Sequence, residues 1–336
     1  MRRLAVIKKI DDIRAIPDAD NIELAIIGGW QAVIKKYDHK VGDLVIYCEV
    51  DSWIPTELAP FLSKGNKPKE YMNIKGERLR TIKLRGQLSQ GLLLPLSLLG
   101  DDRDKTIDND VTDILRIVKY EKPISVQLMG VAKGNLPSSI PKTDQERCQN
   151  LAHQINALCL THAHERFEVT EKLEGTSMTC YMIDGVFGVC SRNLDLLRDE
   201  NNSLWKTAIA DDLEGKMREC GWDNMAIQGE LVGEGIQSNI YNLKGVHFYV
   251  FDIYNIEIKT YISPIARRRL CNHMGFQQVP ILYDSIPLSP VKHLLEMADG
   301  KSELGTRPMR EGIVFRQTDG KMRFKVISNS YLCSSS

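Results

Sequence analysis

The sequence predicts an α+β protein: an amino-terminal β-barrel followed by a mixed, mainly antiparallel α+β domain. Three observations point there. The length of 336 residues suits two domains. The first hundred residues break into short β-branched or alternating runs separated by Gly and Pro. Beyond residue 143, strand and helix signals alternate, and Asp184-Gly185 marks a two-residue hairpin turn.

In the first part, strands are expected at 4–10, 22–34 (broken at Gly28-Gly29), 43–50, 78–84 and 91–96. Five such strands suit a small Greek-key barrel of the OB type, with an SH3-like barrel as the competing arrangement. Residues 1–97 are therefore assigned to a barrel domain and 98–142 to a surface linker. That linker holds Asp101, Asp102, Asp104, Asp108, Asp110 and Asp113, then a Gly-, Pro- and Ser-rich stretch at 123–141.

Thr143-x-x-Glu146 has the capping-box pattern and predicts a helix running towards Leu158. Strands follow at 166–172, 176–183, 186–192, 225–232, 247–254, 312–316 and 322–327, with helices at 203–220, 265–274 and 291–298. Residues 143–331 thus form the second domain, and 332–336 read as a disordered tail.

Apolar (43%) and charged (26%) contents are those of an ordinary globular chain. With 44 basic and 44 acidic residues, any nucleic-acid contact must come from local patches. The eight cysteines are scattered without a Cys-x-x-Cys pair, which favours a reducing compartment over disulfides or a structural zinc site. The start lacks an apolar run long enough for a signal peptide, and no stretch approaches a membrane span. The expected location is cytoplasmic or nuclear.

Chemistry concentrates around Lys172, in Thr170-Glu-Lys-Leu-Glu-Gly-Thr176. A lysine amine has a pKa of about 10.4 in water and attacks only when neutral. Burial or neighbouring cations lower that value, and a following glycine lets backbone approach a phosphate. Folding about Asp184-Gly185 brings Arg192 roughly opposite Ser177, close to Lys172, where it is expected to depress the lysine pKa. Glu174, Glu230 and Glu311 are candidates to hold a hard divalent ion, several of them through water. In the last strand, Lys321, Arg323 and Lys325 share a face. They form either an anion site or a solvated edge.

These segments, taken in order, resemble the nucleotidyltransferase superfamily of ATP-dependent polynucleotide ligases and mRNA-capping enzymes. The segments are Lys172-Leu-Glu-Gly, Ser191-Arg-Asn193, Gly229-Glu-Leu231, Phe248-Tyr-Val-Phe-Asp252, Glu311-Gly-Ile-Val314 and Phe324-Lys-Val326. Together with the run from Arg78 to Gly91 and the preceding barrel, they are similar to the RNA ligase family typified by the Deinococcus and Naegleria enzymes. The resemblance implies an adenylyltransferase domain in which Lys172 takes AMP from ATP, passes it to an RNA 5′-phosphate, and leaves a 3′-hydroxyl to complete the joint, as in RNA repair. It also implies that Glu171 reads adenine, Phe248 stacks on it, and Arg192 and Glu174 meet ribose or metal. Glu230 and Glu311 would serve a metal (Mg2+ or Mn2+), and Lys325 the α-phosphate. Relatives carry a second lysine where this chain has Ile327, so Lys321 or Arg323 is expected to compensate.

Cations cluster in the barrel at Lys75, Arg78, Arg80, Lys83 and Arg85, the footprint of a phosphate-backbone binder. Only Tyr71 interleaves between residues 64 and 85, which favours duplex or nick binding over base stacking. The expected partners are RNA ends in a nicked duplex, with the chain a monomer and no membrane. Two other readings stay open: a GTP-dependent capping guanylyltransferase, disfavoured by the lack of a recognisable domain after Tyr331, and a non-catalytic nucleic-acid-binding protein. His162-Ala-His164 lacks a third ligand nearby and reads as surface.

Overall fold

The computed structural model describes residues 2–121, 130–161, 165–318 and 322–334. His162, His164 and Lys321 lie outside the described residues. The chain divides into two compact units, Met1–Pro123 with Leu332–Ser336, and Ile124–Tyr331.

The first unit is built from small antiparallel sheets. Ala5–Lys9, Leu44–Glu49 and Gly91–Leu94 form one, with Leu44–Glu49 central; Asp12–Ala15, Ile22–Ile27 and Trp30–Lys35 form another. Gly28 and Gly29 turn the chain between the last two with φ of 56° and 86°, values that favour glycine. Along Trp30–Lys35, Trp30, Ala32 and Ile34 point inwards while the residues between them are less buried. A third sheet orders Val118–Lys119, Ser52–Pro55, Ile74–Arg78 and Lys69–Tyr71, and Ile82–Leu84 pairs with Gln87–Ser89 as a separate hairpin.

On either side of 122–129, which lie outside the described residues, the segment expected to be a linker is packed into the two units. Val111, Leu115 and Ile117 are buried in the same core as Ile7, Ile46 and Leu94, and Val118 pairs with Trp53. The aspartates around them obscured a short apolar set that closes the barrel's core. Further on, Ala132–Asn135 pairs with Leu194–Leu196 in the second unit, where Ile140 is also buried.

Two antiparallel sheets make the second unit. The larger runs Ala132–Asn135, Leu194–Leu196, Val186–Cys190, Thr176–Ile183, Met225–Gly233, Val246–Asn255, Thr260–Tyr261. The smaller runs Ile281–Ile286, Phe167–Lys172, Gly312–Gln317, Arg323–Ile327. Asp184 and Gly185 (φ 48° and 73°) form the expected hairpin turn.

Three local expectations change. Thr143 and Glu146 do not open a helix: Thr143 Oγ1 bonds Ser177 Oγ, and the helical run starts at Cys148, continuing as Ala152–Thr161. The segment 203–220 is two helices, Ser203–Ala210 and Leu213–Glu219, parted where Asp212 adopts φ 49°. The tail begins as a helix, Asn329–Ser334, because Ser328 Oγ accepts the Tyr331 N–H and the Asp299 carboxylate accepts from Ser328 and Ser330. No described helix is long and apolar enough to cross a membrane.

Candidate active site

Strand Phe167–Lys172 sends Phe167 and Val169 into the core of the smaller sheet, while Glu168, Thr170 and Lys172 alternate to the other face. Its register pairs Lys172 with Gly312, which sets Glu311 beside the amine; Lys172 Nζ donates to Glu311 Oε2 at 2.6 Å. In the larger sheet Ser177 pairs with Glu230. Gly175 bridges the two sheets at close quarters, since a Cβ there would lie 2.3 Å from the Leu231 carbonyl oxygen and 3.0 Å from Glu230 Cγ. The glycine is therefore required by packing as well as by any access for phosphate. Glu174 donates its N–H to Tyr241 Oη at 2.6 Å and accepts Ser238 Oγ at 2.8 and 3.0 Å.

The electrostatics differ from the expectation at Lys172. Burial alone would lower its pKa, but the Glu311 and Glu230 carboxylates outweigh burial and hold it above the ordinary value. Arg147 pushes it down. Arg192 does not play that part: the hairpin register is as expected, with Thr179 opposite Cys190, but pairing stops there and the exposed Arg192 side chain chelates Asp144 at 2.6 and 2.7 Å. Arg192 is close enough only to favour ionisation of Glu230.

Glu230 is pushed up to about 7, first by burial, with Lys172 opposing and Glu311 and Glu174 adding like-charge repulsion. A carboxyl raised in the folded state stabilises below its unfolded value and loses that contribution as pH rises through the folded one. Glu230→Gln should therefore melt progressively higher than wild type as pH climbs from about 4.5 to about 7, with the gap constant above that. Metal-free thermal melts across pH check this, and a gap that shrinks with rising pH would contradict it.

Among the described residues no three His, Cys, Asp or Glu side chains stand close enough to share an ion directly. Glu230 lies in the field of both Glu174 and Glu311, but Glu174 is engaged by Ser238 and Glu311 by Lys172. A cage of direct contacts is not formed.

Glu171 is buried; its Oε2 accepts the Glu303 N–H at 2.9 Å while Oε1 has no partner, and burial raises its pKa. Phe248 departs from expectation. It pairs with Leu231, on the face opposite Glu230, and is 3% exposed within the core of the larger sheet. The residue opposite Glu230 is Tyr249, and Tyr249 and Phe251 pack partly buried beside Val232 and Tyr241. A one-residue irregularity between Gln228 and Gly229 resets the alternation there, which a sequence count could not register.

Lys325 is half-buried and pairs with Val314, its N–H donating to the Glu146 carbonyl. Arg323, expected to compensate for the missing lysine, is engaged on the larger sheet: it sits 3.1 Å from Asp252 and 3.6 Å above the Tyr261 ring. Ile327, 5% exposed, pairs with Gly312. Sequence reading missed Ser238, Tyr241 and Tyr331, whose phenol is pushed up to about 12 by burial and by Glu174 and Glu311. They lie 60 residues or more from Lys172 and belong to no motif.

In the barrel unit, Lys75, Arg80 and Arg85 are exposed and have no ion pair among the described residues. Arg78 bonds Asp51 at 2.5 and 2.9 Å, and Lys83 donates to the Cys333 carbonyl at 3.0 Å.

A lysine at a strand end, ringed by carboxylates where two antiparallel sheets meet, is the arrangement of a covalent nucleotidyltransferase. The RNA ligase family model matches residues 165–327, and an OB-fold domain model matches 4–96. Comparison with curated protein sequences finds no match. Among solved structures, the chain is similar to the Naegleria gruberi RNA ligase. A mutant of that enzyme with AMP and Mn is 41% identical (TM-score 0.86, covering 100% of this chain and 99% of that one). A mutant with ATP and Mn is 41% identical (TM-score 0.84, 99% of each), and the enzyme with PPi 42% (TM-score 0.84, 99% and 98%). The chain belongs to the RNA ligase family. The barrel is accordingly of the OB type rather than SH3-like.

Proposed function

We propose that this enzyme joins RNA 3′-hydroxyl and 5′-phosphate ends at the expense of ATP, through a lysyl-AMP formed on Lys172. The observation that carries this reading is the Lys172 amine held 2.6 Å from Glu311 at the mouth of the two sheets. In the first step Lys172 Nζ bonds the α-phosphorus of ATP, the bond to pyrophosphate breaks, and Glu311 is placed to take the amine's proton. AMP then passes to an RNA 5′-phosphate, and a 3′-hydroxyl displaces it.

The remaining residues fit that substrate. The unpartnered acceptor Glu171 Oε1 suits the exocyclic amine of adenine, and Tyr249 and Phe251 offer ring faces on the Glu230 side. Lys325 serves the α-phosphate. Arg192 is the residue to meet ribose or phosphate once it leaves Asp144. The carboxylate set is of hard oxygen donors, and the burial and like-charge repulsion that raise Glu230 are what a cation offsets. Glu230 and Glu311, with Glu174, would hold a divalent ion (Mg2+ or Mn2+) through its water shell. Such an ion neutralises phosphate charge. The Naegleria enzyme structures with ATP, AMP, PPi and Mn support this set. We assign the barrel cations Lys75, Arg80 and Arg85, with Arg78 and Lys83 beside them, to RNA backbone at a nicked duplex, in RNA repair, with the chain acting as a monomer.

Incubation with a divalent metal and α-labelled ATP or GTP tests the reading. Acid-labile label from ATP, followed by sealing of a nicked RNA duplex, is the expected result. Label from GTP alone would instead indicate a capping guanylyltransferase, and no label with either would sink the proposal.

A further inference from the structure

The barrel unit contains a groove of about 590 Å³ that the cation cluster alone does not explain. Trp53 and Leu79 are buried at its base. Phe61 (61% exposed), Ile82 (49%) and Leu84 (38%) stand at its edge, with Lys64 and Arg80 among them. Tyr120 lies within it, stacked on Trp53 at 5.8 Å and covered by the Arg78 guanidinium at 4.8 Å.

The apolar part of this groove is invisible to a local reading. Trp53, Tyr71 and Tyr120 are far apart in sequence, yet their rings lie 5.0–5.8 Å from one another because Val118–Lys119 and Lys69–Tyr71 belong to the sheet that holds Trp53. Ile82 and Leu84 alternate to one face of a hairpin strand whose every residue is exposed. Large apolar side chains gain nothing from exposure to water. A duplex backbone, which presents phosphates and sugars, gives them nothing to cover.

We infer that this groove takes unpaired nucleotides of an RNA strand, with a base seated on Phe61, Ile82 and Leu84 and the flanking phosphates met by Lys64 and Arg80. The occupant is chosen by charge: Lys64 and Arg80 have no ion pair among the described residues, whereas Glu77 in the groove is already paired with Lys69 and Asp51 with Arg78. The volume falls in the range of roughly 300–1,000 Å³ of sites that enclose small ligand moieties. The inference rests on the RNA-contacting role given to the barrel and deepens it.

The test is binding by the full chain of a fluorescent single-stranded RNA and of a blunt RNA duplex of equal length at fixed salt. Phe61→Ala and Ile82→Ser, both at exposed positions, should weaken single-strand binding about fivefold to a hundredfold, the cost of a lost base contact, and leave duplex binding unchanged. Arg80→Ala should weaken both RNAs and lower the salt dependence. Self-adenylylation on Lys172 should stay at the wild-type level in Phe61→Ala and Ile82→Ser, so that failure here is separable from failure of the ligase reading. Equal loss for single strand and duplex with Phe61→Ala, or no loss, would overturn the inference. Binding of a labelled acidic peptide that depends on Phe61, without such dependence for RNA, would reassign the groove to a protein partner and overturn it too.

Discussion

Lys172→Arg should fold normally and form no enzyme–AMP adduct. The substitution keeps a cation beside Glu311, so the partly buried carboxylate is not abandoned. A guanidinium stays protonated at every accessible pH and has no free electron pair to attack phosphorus. Self-adenylylation with α-labelled ATP should fall at least about a thousandfold, as when a covalent nucleophile is removed. Joining of an RNA already carrying AMP on its 5′-phosphate should persist, because that step does not use the amine. Label comparable to wild type would overturn the assignment of Lys172.

The pH dependence carries a sign. Glu311 and Glu230 hold the Lys172 amine above its ordinary value, so in wild type the adenylylation rate should climb as pH rises towards that raised pKa. The amine must shed its proton as nucleotide binds, and Glu311 is the nearest acceptor.

Asp252→Ala should be strongly destabilising. Asp252 lies 3% exposed on the larger sheet and accepts Arg316 Nε at 3.0 Å, with Arg323 at 3.1 Å; both arginines come from the smaller sheet. Without it, the buried Arg316 and the partly buried Arg323 lose the anion they share. Removing one partner of a buried charge pair costs about 3–5 kcal/mol. In a unit of this size that lowers the melting temperature by roughly 6–20 °C. Arg316 also donates to Thr170 Oγ1 at 2.7 Å, two residues before Lys172, so adenylylation should weaken below the melting point as well. Calorimetry measures the first effect and labelling at low temperature the second. A melting point equal to wild type would show that the sheets are held by other contacts.

The arginine pair illustrates why the cation strand was only half legible. Alternation in 322–327 correctly puts Arg323 and Lys325 on one face, and Phe324 and Val326 in the core. It cannot say that Asp252, on another sheet, absorbs Arg323. Phe248 failed for a related reason: its motif position is clear, but whether it faces the site or the core depends on a register shift opposite Gly229. The linker failed because aspartates dominate its composition, while three separated apolar residues decide its burial.

The sequence by itself determined the strands that carry the site, the hairpin at Asp184-Gly185, and the order of segments that places Lys172 ahead of Glu230, Glu311 and Lys325. These follow from local rules: side-chain alternation, turn chemistry and spacing. Only the tertiary structure decided which charges meet. Register set Glu311 against Lys172, raising an amine that was expected to be depressed, and strand pairing gathered Trp53, Tyr71 and Tyr120 into one cluster. A pKa or a groove depends on atoms within a few ångströms, and the chain brings those atoms together from positions tens to more than a hundred residues apart.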